Sequence, residues 1–142
     1  MEEPQISPSE WEVMRVVWTT SPITSREIST ILNEKKDWKL ATTKTLIGRL
    51  VKKGMLTAEP NGRQYDYSPA VTEEKSVEEA TEALLSQVCT KKAGVTIQMM
   101  LENSTLSLSD LEALEDVIKL KKETAPLEVV CSCIPGQCSC VH

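Results

Sequence analysis

The segment CSCIPGQCSC, residues 131–140, holds four of the chain's five cysteines. Thiolates are soft donors, suited to zinc, copper(I) or iron–sulfur clusters. Their spacing decides whether they can act together. One residue separates Cys131 from Cys133, and one separates Cys138 from Cys140. In extended backbone, side chains two apart point the same way. Between the pairs stands Ile134-Pro135-Gly136-Gln137, with Pro and Gly where a type II reversal takes them. Such a reversal turns the two Cys-x-Cys arms toward each other, so that Cys131, Cys133, Cys138 and Cys140 form one metal-binding site. The pattern differs from the Cys-x-x-Cys knuckle of structural zinc sites. Two disulfides are the competing use of the same residues, and disulfides belong to oxidising compartments.

Four thiolates satisfy one tetrahedral Zn²⁺. They also hold two Cu⁺, which accepts lower coordination and shares bridging sulfur. The expected occupants are thus Zn(II), one per monomer, or Cu(I), two per monomer; Ag(I) and Cd(II) suit the same donors. The total charge is equal in the zinc and copper states, so an exchange between them has to signal by shape rather than by repulsion. Cys89, on an apolar helical stretch, reads most simply as a buried small hydrophobe. His142 reads more simply as a terminal solvent-facing residue than as a fifth ligand.

The elements that carry this tail are legible from their start signals. Ser7-Pro8-Ser9-Glu10 is a capping box with Pro at the first helical position. Trp11, Met14 and Trp18 then mark one face of a helix running to about Thr19. Thr24-Ser25-Arg26-Glu27 repeats the box for a short helix with Ile28, Ile31 and Leu32 inward, ending near Asn33. A third helix runs from about Ala41 to Lys53, with Leu46, Leu50 and Ile47 inward and Gly54 as its stop. MLTAEP, NGRQ and YDYSP read as strand, turn and strand, with Asn61-Gly62 as the hairpin signal. Three helices and a hairpin in this order form a winged helix-turn-helix, in which the third helix enters the major groove and the hairpin is the wing.

Charge agrees with that order. The net charge is −5, yet residues 35–54 hold seven basic residues and one acid, Asp37. A basic island on an acidic chain suggests a face for a polyanion. The candidate DNA contacts are Thr42, Thr43, Lys44, Thr45, Arg49, Lys52 and Lys53 on the third helix, with Arg63 at the wing tip. Lysine and arginine neutralise phosphates, and threonine and arginine also reach base edges.

Beyond Pro69 the chain turns acidic and amphipathic. VTEEKSVEEATEALLSQV has Val77, Ala80, Leu84 and Val88 at helical spacing. AGVTIQMMLEN is a shorter apolar helix, with Met99 and Met100 in a core or interface. Ser109-Asp110-Leu111-Glu112 reads as a third capping box, followed by Leu111, Leu114, Val117 and Ile118 on one face. Helices this few make a poor solitary core, and two interlocked copies make a better one. The expected organisation is mainly α with a small β-hairpin: a winged-helix DNA-binding domain over 1–71, a helical dimerisation domain over 72–123, and a cysteine-hook tail over 124–142. A twofold dimer presents two recognition helices to an inverted-repeat operator on double-stranded DNA.

The chain lacks phenylalanine, so Leu, Ile, Val, Met and three Trp must fill the core. No run approaches the roughly 18 apolar residues of a membrane span, and the acidic start MEEPQISPSE is unlike a secretory signal. A cytoplasmic protein with reduced thiols and no membrane partner is expected. A single histidine and the lack of a phosphate-cradling glycine loop argue against an enzyme.

SEWEVMRVVW in the first helix, TTKTLIGRLVKKG in the third and NGRQYDYSPAV in the wing resemble the penicillinase-repressor (BlaI/MecI) family of winged-helix repressors. CSCIPGQCSC resembles the cysteine hook of that family's CopY-type copper-responsive members. The resemblance implies a homodimeric repressor of copper-efflux genes, holding DNA with zinc bound and releasing it when Cu(I) takes the four cysteines, with a copper-donating chaperone among its partners. Two positions depart from the family pattern: Thr43 replaces an apolar β-branched residue, and Lys39 follows Trp38 where a Ser N-cap is usual. Two other functions fit the residues: a DNA-binding protein with a purely structural zinc tail, and a cytosolic copper buffer or donor.

Overall fold

The structure is a computed structural model and describes residues 5–140; His142, considered above as a ligand, lies outside them. It comprises two compact units, Met1–Ala80 and Thr81–His142.

The first unit contains α1 (Pro8–Thr19), α2 (Ser25–Lys36), α3 (Leu40–Lys52), and the antiparallel strands β1 (Leu56–Asn61) and β2 (Gln64–Pro69). Its starts follow the expected chemistry. Ser7 Oγ accepts from the Glu10 N–H at 3.2 Å while the Ser7 N–H donates to Glu10 Oε1 at 3.4 Å, completing the capping box. Thr24 Oγ1 accepts from the Glu27 N–H at 3.2 Å. The strands pair from Leu56↔Pro69 to Asn61↔Gln64, leaving Gly62-Arg63 as the loop. Gly62 takes φ 64° at the first central position, where the II′ hairpin turn places glycine. Ile23 bridges Tyr67 through Ile23 N–H to Tyr67 O (3.1 Å) and Tyr67 N–H to Ile23 O (2.8 Å), tying the α1–α2 connection to the wing.

Val13, Met14, Val17, Ile23, Ile28, Leu32, Leu46, Ile47, Leu50, Met55 and Leu56 form the core of this unit. The core is aliphatic, and the tryptophans are only partly buried. Trp11 and Trp18 meet with centroids 5.6 Å apart, and Trp18 Nε1 donates to the Val71 carbonyl at 2.9 Å. Indoles keep a rim position because the N–H needs a partner.

One boundary and two inward faces in this unit differ from the sequence reading. The inward face of α1 centres on Val13, Met14 and Val17. Helix α2 runs one turn past Asn33 and closes on Asp37 in the left-handed region (φ 54°), because Glu34, Lys35 and Lys36 are good helix formers despite their charge. Ile31 is 48% exposed and leaves the inward stripe.

The second unit contains the short 3₁₀ turn Thr90–Lys92, α5 (Ala93–Asn103), α6 (Leu108–Lys122) and the tail; α4 (Glu73–Ser86) runs across the division between units. The capping box of α6 uses Ser107 and Asp110, two residues earlier than Ser109 and Glu112, so the helix gains Leu108. Both serines are competent N-caps, and the chain uses the one whose carboxylate partner reaches back (Ser107 N–H to Asp110 Oδ2, 3.1 Å). Among the described residues from 81 onward only Cys89 is buried. No helix among the described residues is long and apolar enough to cross a membrane.

Candidate metal centre and nucleic-acid interface

Helix α3 sorts its residues by period. Thr43, Leu46, Ile47 and Leu50 face the core, while Thr42, Lys44, Thr45, Arg49 and Lys52 are exposed. Arg63 is exposed in the wing loop. Among the described residues no acid pairs with Lys44, Arg49, Lys52 or Arg63, so their charge is available to an external anion. Thr45 Oγ1 donates to the Ala41 carbonyl at 3.0 Å and keeps its lone pairs free to accept.

Two residues expected on this face are placed elsewhere. Thr43 is 0% exposed, its Oγ1 buried without a partner, so it packs rather than contacts DNA. Its place on the i, i+3, i+4, i+7 stripe with Leu46, Ile47 and Leu50 already signals this. Lys53 Nζ donates to both Glu10 oxygens, at 2.9 and 2.8 Å, and to the Gln5 carbonyl at 2.9 Å. Glu10 is 3% exposed. Burial pushes its carboxyl up, but the Lys53 ammonium and the Ser7 hydrogen bonds outweigh burial and hold it below its ordinary value. Lys53 is thus an internal partner that ties the end of α3 to the start of α1.

The tail folds as its turn chemistry requires. The Gln137 N–H donates to the Ile134 carbonyl at 3.1 Å, and the Ile134 N–H donates to Gln137 Oε1 at 3.0 Å. Gly136 takes φ 97°, the left-handed position that a type II turn reserves for glycine at i+2. The reversal brings Cys131 Sγ to 3.4 Å from Cys138 Sγ. The Cys133 N–H donates to Cys131 Sγ at 3.4 Å.

A fifth sulfur joins them. Cys89 precedes the 3₁₀ turn and is 6% exposed. Its Sγ lies 3.4 Å from that of Cys131 and 3.8 Å from that of Cys140. The four sulfurs that fall within 4.8 Å of one another are those of Cys89, Cys131, Cys133 and Cys138. Cys89 is therefore no mere hydrophobe, and Cys140 stands beside it rather than inside that quartet. Nothing in the spacing of a cysteine 42 residues from Cys131 marks it as a member. None of the five cysteines is in a disulfide. A hydrogen bond from the Lys91 backbone holds the Cys89 thiol below its ordinary value, outweighing burial, with help from the neighbouring thiols. Burial, then hydrogen bonds with Cys89, Cys138 and Cys131, push Cys133 up to about 12. Hydrogen bonds with Cys138 and Cys89, then burial, push Cys140 up to about 12. The cluster holds its protons most tightly at Cys133 and Cys140, and a metal must displace protons to bind. A donor set made only of sulfur fits a soft or borderline cation.

Residues 6–120 match the family model described as Penicillinase repressor. The chain belongs to the penicillinase-repressor family. The penicillinase repressor of Bacillus licheniformis is 31% identical over 119 residues, 84% of this chain and 93% of that one. An uncharacterized 16.5 kDa protein in the ptsI 3′ region of Latilactobacillus sakei is 43% identical over 136 residues, 96% of this chain and 93% of that one. A solved structure described as CopR repressor is 44% identical and covers 46% of this chain and 96% of its own, with a TM-score of 0.41. Membership makes this chain a DNA-binding transcriptional repressor with a winged helix, and not an enzyme. The family match covers residues 6–120, so Cys89 lies within it and the four tail cysteines beyond it.

Proposed function

We propose that this penicillinase-repressor family member is a copper-responsive repressor, bound to an inverted-repeat operator as a homodimer and released when Cu(I) occupies its thiol cluster. The observation that carries the reading is the convergence of the tail cysteines into one all-sulfur cluster on a repressor frame. Zinc with four thiolates and a pair of Cu⁺ with the same four carry equal charge, so exchange acts through the arrangement of sulfurs. Cu⁺ tolerates two- and three-fold coordination, whereas Zn²⁺ imposes a tetrahedron.

Thr42, Lys44, Thr45, Arg49 and Lys52 read the major groove and its phosphates, and Arg63 contacts the backbone beside the wing. The organisation is a winged-helix domain over 1–71, a dimerisation domain over 72–123 and a sensing tail over 124–142. Supporting the dimer, Val95, Ile97, Met99, Val117, Ile118 and Leu120 are all between 46% and 67% exposed. Apolar surface on that scale favours burial against a second copy. The protein works in the cytoplasm, where its operator is found and its thiols stay reduced.

The test is operator binding by fluorescence anisotropy, first with zinc-loaded protein and then with Cu(I) added anaerobically. Release at about two Cu(I) per monomer is expected from the ligand count. Retention on the operator at saturating Cu(I) makes the tail a structural zinc site instead, and equal binding to unrelated DNA points to a copper buffer.

A further inference from the structure

We propose that Cys89 is a metal ligand, so that the sensing site is built by the α4–α5 junction together with the tail rather than by the tail alone. The inference rests on the metal-binding reading of the cluster and extends it to a residue outside the Cys-x-Cys hook.

The distances carry it. A tetrahedral thiolate site with Zn–S of about 2.3 Å has sulfur–sulfur edges of about 3.8 Å. Cys89 Sγ lies 3.4 Å from Cys131 Sγ, and Cys89, Cys131, Cys133 and Cys138 all fall within 4.8 Å of one another. A small adjustment of the quartet's edges toward that length, lengthening the 3.4 Å ones, encloses one ion. Cys140, 3.8 Å from Cys89 but outside the set of four mutually close sulfurs, is the fifth donor.

A second feature holds the tail in that place without any sulfur. Thr90 Oγ1 donates to the Val130 carbonyl at 2.6 Å and accepts from the Ser132 N–H at 3.2 Å. These bonds grip the backbone on both sides of Cys131, and the gripping residue is the neighbour of Cys89. Lys92 N–H to Cys89 O, at 2.8 Å, fixes the turn that presents Cys89. The tail is thus docked at the residue beside its fifth sulfur, and Cys89 is buried there while the tail cysteines are partly exposed.

The functional consequence is a mechanical link. A tail-only site would close on itself and leave the helices untouched. With Cys89 as a ligand, zinc ties the tail to the turn between α4 and α5. With five sulfurs at hand, two Cu⁺ of lower coordination share the donors differently, and the pull on that turn changes. The exchange then reaches helices that carry the exposed apolar faces.

The test uses the full-length protein with zinc or cobalt(II) alone as probe. In zinc-loaded wild type, alkylation followed by peptide mass spectrometry should find Cys140 modified and Cys89 protected. Cys89→Ser should weaken zinc binding at least tenfold in competition with a chelating dye and diminish the sulfur-to-cobalt charge-transfer band, while Cys140→Ser keeps both near wild type. Far-UV circular dichroism of the variants verifies their helices, and the alkylation result stands on wild type alone. Alkylation of Cys89 in the zinc form, with Cys89→Ser binding as tightly as wild type and Cys140→Ser binding weakly, overturns the proposal and leaves the hook quartet. Absence of stoichiometric metal uptake, with all five thiols reactive, overturns it together with the metal reading beneath it.

Discussion

At the residue scale, neighbouring lysines at the end of α3 carry the same charge to different ends. Lys52 is exposed and unpaired, whereas Lys53 is spent on the buried Glu10 carboxylate. Lys52→Ala is expected to lower the slope of log operator affinity against log salt by about one unit, the loss of one phosphate contact. Lys53→Met is expected to leave that slope unchanged and to destabilise the fold by about 2 kcal/mol at neutral pH, because it leaves a buried acceptor charge unmatched. Denaturant titrations and salt-dependent anisotropy measure the two effects separately. The pair also sets a pH dependence. Glu10 has a folded pKa below its ordinary value, so the unfolded chain binds more protons in acid. The pair's stabilisation is therefore present above the ordinary carboxylate range and lost as pH falls through the depressed folded value. The penalty of Lys53→Met should shrink over the same window. Thr43 supplies a converse case. Its hydroxyl is buried without a partner, so Thr43→Val keeps the shape and removes the desolvation cost. A gain of about 1 kcal/mol in unfolding free energy is expected, with operator affinity unchanged.

At the element scale, capping chemistry positions nearly everything that matters. The Ser7 and Thr24 caps were readable because hydroxyl, spacing and following apolar residues all agree. Helix α6 starts two residues before the expected Ser109 cap because Ser107 and Ser109 are both competent and only the folded backbone chooses. Helix α2 ends beyond the expected Asn33 because a run of charged helix formers has the local signature of a loop, and the left-handed Asp37 sets the stop. The tail turn depends on one backbone angle. Gly136→Ala forces a side chain into φ 97°, at a cost of about 1–2 kcal/mol. That strain should weaken zinc binding by roughly five- to thirtyfold in dye competition, with the far-UV spectrum unchanged. Equal zinc affinity in this variant would mean that the reversal does not assemble the thiols.

At the scale of the whole molecule, the two units are stabilised in unlike ways. The first buries an aliphatic core around α1, α2 and α3. The second leaves Ile118 48% exposed and Leu120 67% exposed and buries chiefly Cys89 among its described residues. Ile118→Asp is expected to shift the protein from dimer to monomer by light scattering and to weaken operator binding at least tenfold, since one half-site contact replaces two. A monomer already in wild type at micromolar concentration would remove the dimer from the proposal.

What the amino-acid order determined unaided were features set by neighbours in the chain: the order of helices and hairpin, the Ser7 and Thr24 caps, the exposed cations of α3 and the reversal at Pro135-Gly136. These depend on interactions over a few residues, where spacing translates directly into geometry. What tertiary structure alone decided were pairings across long separations. Lys53 meets Glu10, Ile23 joins the wing at Tyr67, and Thr90 and Cys89 receive the tail. A lysine beside a recognition helix or a cysteine on an apolar stretch has the same local signature whether its partner is solvent, core or a distant side chain, and only the folded path of the chain brings one of them within bonding distance.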